Sequence, residues 1–191
     1  SISHTLLSSS GDAETMRQGL ETIHATSDRL LRFVDSFRAV TRIPAPQKAP
    51  FYLSELVAES LSLIPHEGIE VEVSIEPEDT MLYADRALMS QVMVNLLKNA
   101  TEALLAQDCQ RKITIRSTID AEERIQIEIT NSGSAIPAEV AENIFTPFFT
   151  TKTDGSGIGL AVSRQILRLH GGSLRLKHND EGRVTFAVVV E

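Results

Sequence analysis

Apolar residues first recur with a three–four spacing. Leu20, Ile23, Leu30, Val34 and Phe37, with Ser27 and Thr41 in register, form one stripe. This spacing predicts a helix with an apolar seam, as in coiled coils and bundles. Leu31 and Phe33 widen the stripe, which suits a bundle with more than one neighbour. A helix packed on its own domain fits the same pattern. Ser10, Gly11 and Asp12 read as an earlier turn, and Asp12 or Thr15 can cap the helix. The stretch "RIPAPQKAP" then places Pro44, Pro46 and Pro50 where no helix continues. The expected boundary lies there, with a helical segment and linker over 1–47 and a second domain over 48–191.

Beyond the prolines the periodicity changes. Leu53 to Ile64 reads as a helix, with Ser54 as its cap. Ile69, Val71, Val73 and Ile75 alternate with polar residues and predict a half-buried strand. Met81 to Ala84 predicts a short strand, and Asp85 can cap a long helix reaching Leu105. "KITIRSTI" and "RIQIEIT" predict two strands joined by a polar turn. A short helix follows Pro137, another runs from Gly159 to Leu169, and "GGSLRLKH" with "GRVTFAVVV" predicts a closing hairpin. Helices and mostly antiparallel strands in separate runs imply an α+β layered sandwich.

Composition narrows the function. Of 191 residues, 42% are apolar, enough for a real core, yet no stretch approaches the ~18 apolar residues of a membrane span. The formal net charge of −8 argues against a nucleic-acid-binding face. The single cysteine, Cys109, excludes an internal disulfide and fits a reducing compartment. A start at Ser1, inside what reads as a helical segment, implies a piece of a longer protein.

Four stretches carry candidate chemistry. In "QVMVNLLKNATEAL", Asn95 and Asn99 are one helical turn apart and share a face. Asparagine is a mediocre helix former, so the pair asks for a reason. A carboxamide oxygen can hold a hard cation such as Mg²⁺, which also shares substrate phosphates, and Lys98 stands near enough to meet a phosphate. Bonding to neighbouring loops is the alternative. In "ITNSGSAIP", Asn131 ends a strand, Gly133 turns the chain, and Ile136 can pack on a flat ring whose edge Asn131 reads. An ordinary turn is the alternative. In "IFTPFFTTK", Phe145, Phe148 and Phe149 can anchor a loop that ends in Thr150, Thr151 and Lys152, a design that suits a lid over phosphates. Finally, Gly155, Gly157 and Gly159, alternating with Ser156 and Ile158 before Leu160, let main-chain amides approach an anion at a helix N-terminus. This is neither a Walker loop nor a Rossmann turn.

Taken in order, these stretches resemble the ATP-binding catalytic domain of sensor histidine kinases, a family grouped with the gyrase, Hsp90 and MutL ATPases. "NLLKNATEAL" resembles its asparagine box and "NSGSAIP" its first glycine box. "IFTPFFTTK" resembles its phenylalanine box and "GSGIGLAVSRQIL" its second glycine box, with "HGGSL" following. The resemblance covers about residues 48–191. Upstream, "ETIHATSDRLLRFVDSFRAVTRIPAP" is similar to the second helix of the dimerisation and phosphoacceptor hairpin. It implies a Bergerat-type two-layer sandwich, with helices on one face of a mixed sheet, preceded by a long bundle helix. It also implies ATP and Mg²⁺ as ligands, transfer of the γ-phosphate to a histidine, and relay to a response regulator receiver domain. The full protein is expected to be a homodimer through the hairpin. This region is expected to be cytoplasmic and to touch neither membrane nor nucleic acid.

By position, Asn99 would hold Mg²⁺ with Asn95 in support, Lys98 and Lys152 would face phosphates, and the glycines would form the phosphate-side turn. No catalytic residue is expected within the fragment itself. The acceptor histidine is expected upstream of Ser1, because "HTLLSSS" lacks the acid and proline that follow it in the family; His4 is an atypical alternative.

Two departures stand out. Asn131 takes the place of an aspartate that accepts a bond from the adenine amino group. Its oxygen can still accept and its amide can donate toward a ring nitrogen, for a penalty of roughly 1 kcal/mol. Ala135 replaces the box's second glycine. The ATP-hydrolysing relatives carry a glutamate where this chain has Asn95, so transfer is favoured over a gyrase-type ATPase. A nucleotide-binding regulatory module without kinase activity, and a serine kinase of the anti-sigma type, are the other readings.

Overall fold

The computed structural model describes residues 13–41, 43–105, 111–152 and 155–191. His4, Asp12 and Cys109 lie outside them, as do the side chains of Thr15, Phe33 and Phe37. The chain divides into two compact units between residues 42 and 43.

The first unit contributes helix α1, Ala13–Thr41. Its seam residues Leu20, Ile23, Leu30 and Val34 are exposed. Local bonds brace the other positions: Arg17 pairs with Glu21 at 2.6 Å, one turn on, and the hydroxyls of Thr22 and Thr26 each donate to the carbonyl four residues back. No described helix is long and apolar enough to cross a membrane.

The second unit is a two-layer α+β sandwich. Its strands are β1 (Ala49–Tyr52), β2 (Glu70–Ile75), β3 (Met81–Ala84), β4 (Lys112–Ile119), β5 (Ile125–Asn131), β6 (Ser173–Asp180) and β7 (Arg183–Val190). Its helices are α2 (Leu53–Ser62), α3 (Arg86–Leu105), α4 (Ala138–Ala141) and α5 (Gly159–Leu169). Five strands form one sheet in the order β2-β4-β5-β7-β6, in which only β2 and β4 run parallel; β1 and β3 form a separate antiparallel ribbon.

Alternation sets the layers. Ile127, Ile129 and Asn131 of β5 lie opposite Val188, Phe186 and Val184 of β7, and all of these face the helices. The opposite face carries polar pairs such as Thr130 with Thr185, joined hydroxyl to hydroxyl at 2.9 Å, and Glu128 with Lys177. Helix α3 packs on α2, α5, β4 and β5. It buries Met89, Val92, Met93, Leu96, Leu97, Ala100 and Leu104, a stripe at the 3.6-residue period. Asn95 and Asn99 flank that stripe, half-buried.

The expected elements form within a residue or two, with two corrections. Strand β1 arises inside the proline-rich stretch: Phe51 is buried opposite Leu82, and pairing with β3 decides the conformation. Ser54 does not cap α2. Tyr52 takes the cap position with no side-chain bond, and the Leu53 amide donates to the Thr80 carbonyl at 3.0 Å instead.

Candidate functional site

The N-terminus of α3 is fixed first. Asp85 Oδ1 accepts from the Leu88 amide at 3.1 Å, while Oδ2 accepts from the Gln47 amide at 2.8 Å, so the cap expected from sequence also ties down the linker. These amides, Gln47 foremost, hold the Asp85 carboxyl below the ordinary carboxylate range. The Asp85 amide donates to Nε2 of buried His170 at 3.0 Å, and His170 Nδ1 bonds the Ile166 carbonyl at 2.8 Å. His170 thus links the end of α5 to the start of α3 in a single neutral tautomer.

With α3 held, its two asparagines face different partners. Asn95 Nδ2 donates to the buried hydroxyl of Ser163 on α5 at 3.0 Å. Its oxygen lies so close to Gly159 that a β-carbon there would sit 2.1 Å away. One turn on, Asn99 Oδ1 accepts from the Lys152 ammonium at 3.1 Å, and Lys152 also pairs with Glu102. Asn99 therefore lies outside the apolar core and already carries a cation on its carboxamide oxygen. Lys98 is exposed and reaches Glu102 at 3.8 Å.

Each glycine of the turn meets protein atoms. A β-carbon at Gly155 would lie 2.6 Å from Thr150 Oγ1, and one at Gly157 2.6 Å from the Phe148 main chain. Gly157 has φ 66° and accepts from the Phe148 amide at 2.9 Å; Phe148 itself has φ 68°, sparse for a residue with a side chain. The alternate glycines thus let the 148–152 segment and the turn nest against each other. Phe145 anchors that segment: its ring stacks edge-on with Phe186 at 6.5 Å, under the Arg164 guanidinium at 5.1 Å. Phe148 is exposed and Phe149 half-buried. Thr151 and Ser156 are exposed, and Ile158 and Leu160 half-buried. Ile158 takes the cap position of α5 with no side-chain bond.

The segment after β5 is clamped by the β6–β7 hairpin. Ile136 exchanges two bonds of 2.7 Å with Asn179, and Glu181 accepts from the Ser134 hydroxyl at 2.8 Å and the Ala135 amide at 3.2 Å. Gly133 is buried, and its carbonyl accepts from Gly182 at 3.1 Å. Asn131 is buried at the strand end, and its Nδ2 has no hydrogen-bond partner among the described residues. Leaving a buried donor unpaired costs about 1–3 kcal/mol.

The structure thus joins Asn95 to Gly159 and Asn99 to Lys152, and it ties the 148–152 segment to Gly155 and Gly157. Asn131, Gly133 and Ile136 form a second cluster at the end of β5. Sequence reasoning missed Glu102, Ser163, Asn179 and Glu181. Glu102 was legible, three residues beyond Asn99 on the same helical face. The other three are defined by contacts distant in sequence and carry no local signal.

Known proteins resemble this chain in sequence and in fold. Residues 84–191 match the family described as histidine kinase-, DNA gyrase B-, and HSP90-like ATPase. The sensor protein FixL of Bradyrhizobium diazoefficiens is 32% identical over 190 residues, covering 96% of this chain and 37% of its own length. The catalytic domain of histidine kinase ThkA, solved nucleotide-free, is 35% identical with a TM-score of 0.66, covering 75% of this chain and 95% of that one. ThkA in complex with the response regulator protein TrrA is 30% identical with a TM-score of 0.69, covering 94% of this chain and 52% of that one. The chain spans 23–37% of the length of the first curated relatives it matches.

Proposed function

The chain belongs to the histidine kinase-, DNA gyrase B- and HSP90-like ATPase family, as an ATP-binding domain of the sensor histidine kinase type, and we propose that it binds Mg-ATP between α3 and the Gly155–Gly159 turn and phosphorylates a histidine. The observation that carries this reading is the cation on Asn99: a carboxamide oxygen beside a carboxylate already holds the Lys152 ammonium. Oxygen donors in that setting fit a hard divalent ion. Mg²⁺ ordinarily keeps several waters and shares substrate phosphates, so it asks few ligands of the protein. Asn99 would hold Mg²⁺, with Asn95 behind it fixing the turn through Ser163. The ion supplies neutralisation of phosphate charge.

The remaining work falls to the chain. Lys152 leaves Glu102 and meets the phosphates, and Lys98 lies along the same helix face. The uncapped amides at the start of α5 point their partial positive charge at the triphosphate. Asn131 and Ile136 receive the base. In the transfer, an unprotonated imidazole nitrogen attacks the γ-phosphorus. The bond to the β,γ-bridging oxygen breaks, and ADP leaves with its electron pair. No base is needed on the catalytic side, and Asn95, an amide, is a poor one for activating water. Glu102, the carboxylate that shares Lys152 with Asn99, is engaged by two lysines.

In the whole protein we place the acceptor on the hairpin to which residues 1–47 belong, with residues 48–191 as the catalytic domain. The hairpin makes the homodimer and passes the phosphoryl group to a receiver domain in the cytoplasm. The test supplies γ-labelled ATP, Mg²⁺ and the phosphoacceptor hairpin of the full-length protein. Acid-labile label on the hairpin is expected. Acid-stable label would assign a serine kinase, and released phosphate alone an ATPase. Nucleotide binding without either would leave a regulatory module.

A further inference from the structure

Strand β6 breaks its own alternation beside the site. Leu176 pairs with Phe186 on the helix-facing side, yet His178 pairs with Thr185 on the polar side, because Lys177 is an extra residue opposite β7. Such a bulge turns every later side chain of the strand to the other face. It brings Asn179 opposite Val184, and Val184 lies opposite Asn131. Asn131, Val184 and Asn179 thus form one row across β5, β7 and β6, on the face that carries the candidate site. We propose that Asn179, re-aimed by the Lys177 bulge, is a positioning residue for the nucleotide: it fixes Ile136 in place before the base arrives. This rests on the nucleotide-binding reading above and adds a residue from the far edge strand to that site.

Asn179 Oδ1 accepts from the Ile136 amide, and Asn179 Nδ2 donates to the Ile136 carbonyl, both at 2.7 Å. One carboxamide thus pairs both main-chain polar groups of Ile136, as a neighbouring strand would. A carboxylate could accept but not donate, and an apolar side chain could do neither. The turn leading to Ile136 is held elsewhere. The Ser132 amide donates to the Lys112 carbonyl at 3.0 Å, the Gly133 carbonyl accepts from Gly182, and Ser134 and Ala135 bond Glu181. None of these ties reaches Ile136, and the next residue, Pro137, has no amide to offer. The bulge itself is pinned from the polar face, where Lys177 pairs with Glu128 of β5. Without the extra residue Asn179 would point to that polar face, away from Ile136. A rim already fixed in the empty protein loses less freedom when the base binds, so the bulge and its asparagine act on affinity without touching the phosphates.

The test titrates the full chain calorimetrically with ATP in Mg²⁺, unaltered and as Asn179→Ala. The variant should bind ATP about fivefold or more weakly. In the labelled-transfer assay its KM for ATP should rise by a similar factor with kcat within about twofold, because the phosphates are held by α3 and the glycine turn. A merely structural residue would lower the amount of active protein, and hence kcat, and leave KM alone. A folded Asn179→Ala that binds ATP within fivefold of the unaltered chain overturns the inference and leaves the nucleotide reading standing. So does a fall in kcat at constant KM. Where no transfer occurs, the calorimetric affinity decides. No binding of ATP to the unaltered chain up to millimolar concentration removes both. If circular dichroism shows Asn179→Ala unfolded, hydrogen exchange on the unaltered chain decides. An Ile136 amide protected without nucleotide supports the inference, and one that exchanges freely without nucleotide overturns it.

Discussion

Helix α5 is bracketed by glycines at both ends, and the two ends use them differently. Behind its C-terminus Gly171 has φ 81°, and a β-carbon on Gly172 would lie 2.0 Å from the Val189 carbonyl oxygen. That neighbour is main chain of β7, bonded into the sheet on both sides. Ahead of the N-terminus, Gly157 also meets main chain, that of Phe148 and Phe149, but Gly155 and Gly159 meet the side chains of Thr150, Lys152 and Asn95. The same residue type thus closes the fold at one end and shapes the candidate site at the other. A glycine cluster acquires its meaning from what approaches it.

Substitutions at the two ends test the contrast. Gly172→Ala should have the largest effect on stability, about 3 kcal/mol or more by urea unfolding, because a main-chain oxygen in a ladder cannot give way. Gly159→Ala should cost less, about 1–2 kcal/mol, since the Asn95 carboxamide can turn aside; yet it should weaken Mg-ATP binding tenfold or more by calorimetry. Equal losses of stability and binding at both positions would erase the distinction. Asn99→Ala should leave unfolding within about 1 kcal/mol and still weaken Mg-ATP at least tenfold, the scale of one charge-assisted bond.

Two smaller effects sharpen the picture. Glu102→Gln should change stability by less than about 1 kcal/mol, as for other exposed pairs, and raise nucleotide affinity about threefold by releasing Lys152. A fall in affinity would assign Glu102 to the metal. The smallest effect concerns acid. The Asp85 carboxyl titrates below its unfolded value, so its contribution is complete above about pH 4 and fades as the pH falls through the lower folded value. Asp85→Asn should flatten that part of the curve of unfolding free energy against pH.

Much of this was legible in the sequence. Strands β4 to β7 follow from period-two runs, and α3 and α5 from 3.6-residue stripes with Asp85 as a cap. The asparagine pair announced itself because asparagine seldom recurs in a helix without a reason. Strand β1 was hidden because its four residues include Pro50 and Tyr52, with only Phe51 buried; its partner is three elements of chain away. The clamp of Asn179 and Glu181 on the 133–136 turn was hidden likewise, since its two halves are about forty-five residues apart. Lys152 was expected to face phosphates, and its docking on Asn99 and Glu102 came from space alone.

By itself, then, the chain's order of residues determined which segments become helix or strand and which polar residues interrupt them, because periodicity and capping act over a few neighbours. Tertiary structure decided what each polar residue and each glycine faces: Asn95 against Gly159, Asn99 against Lys152, Asn131 Nδ2 against no partner among the described residues. Those relations depend on contacts across 50 residues or more, whose geometry the packed sheet and helices impose and no local pattern encodes.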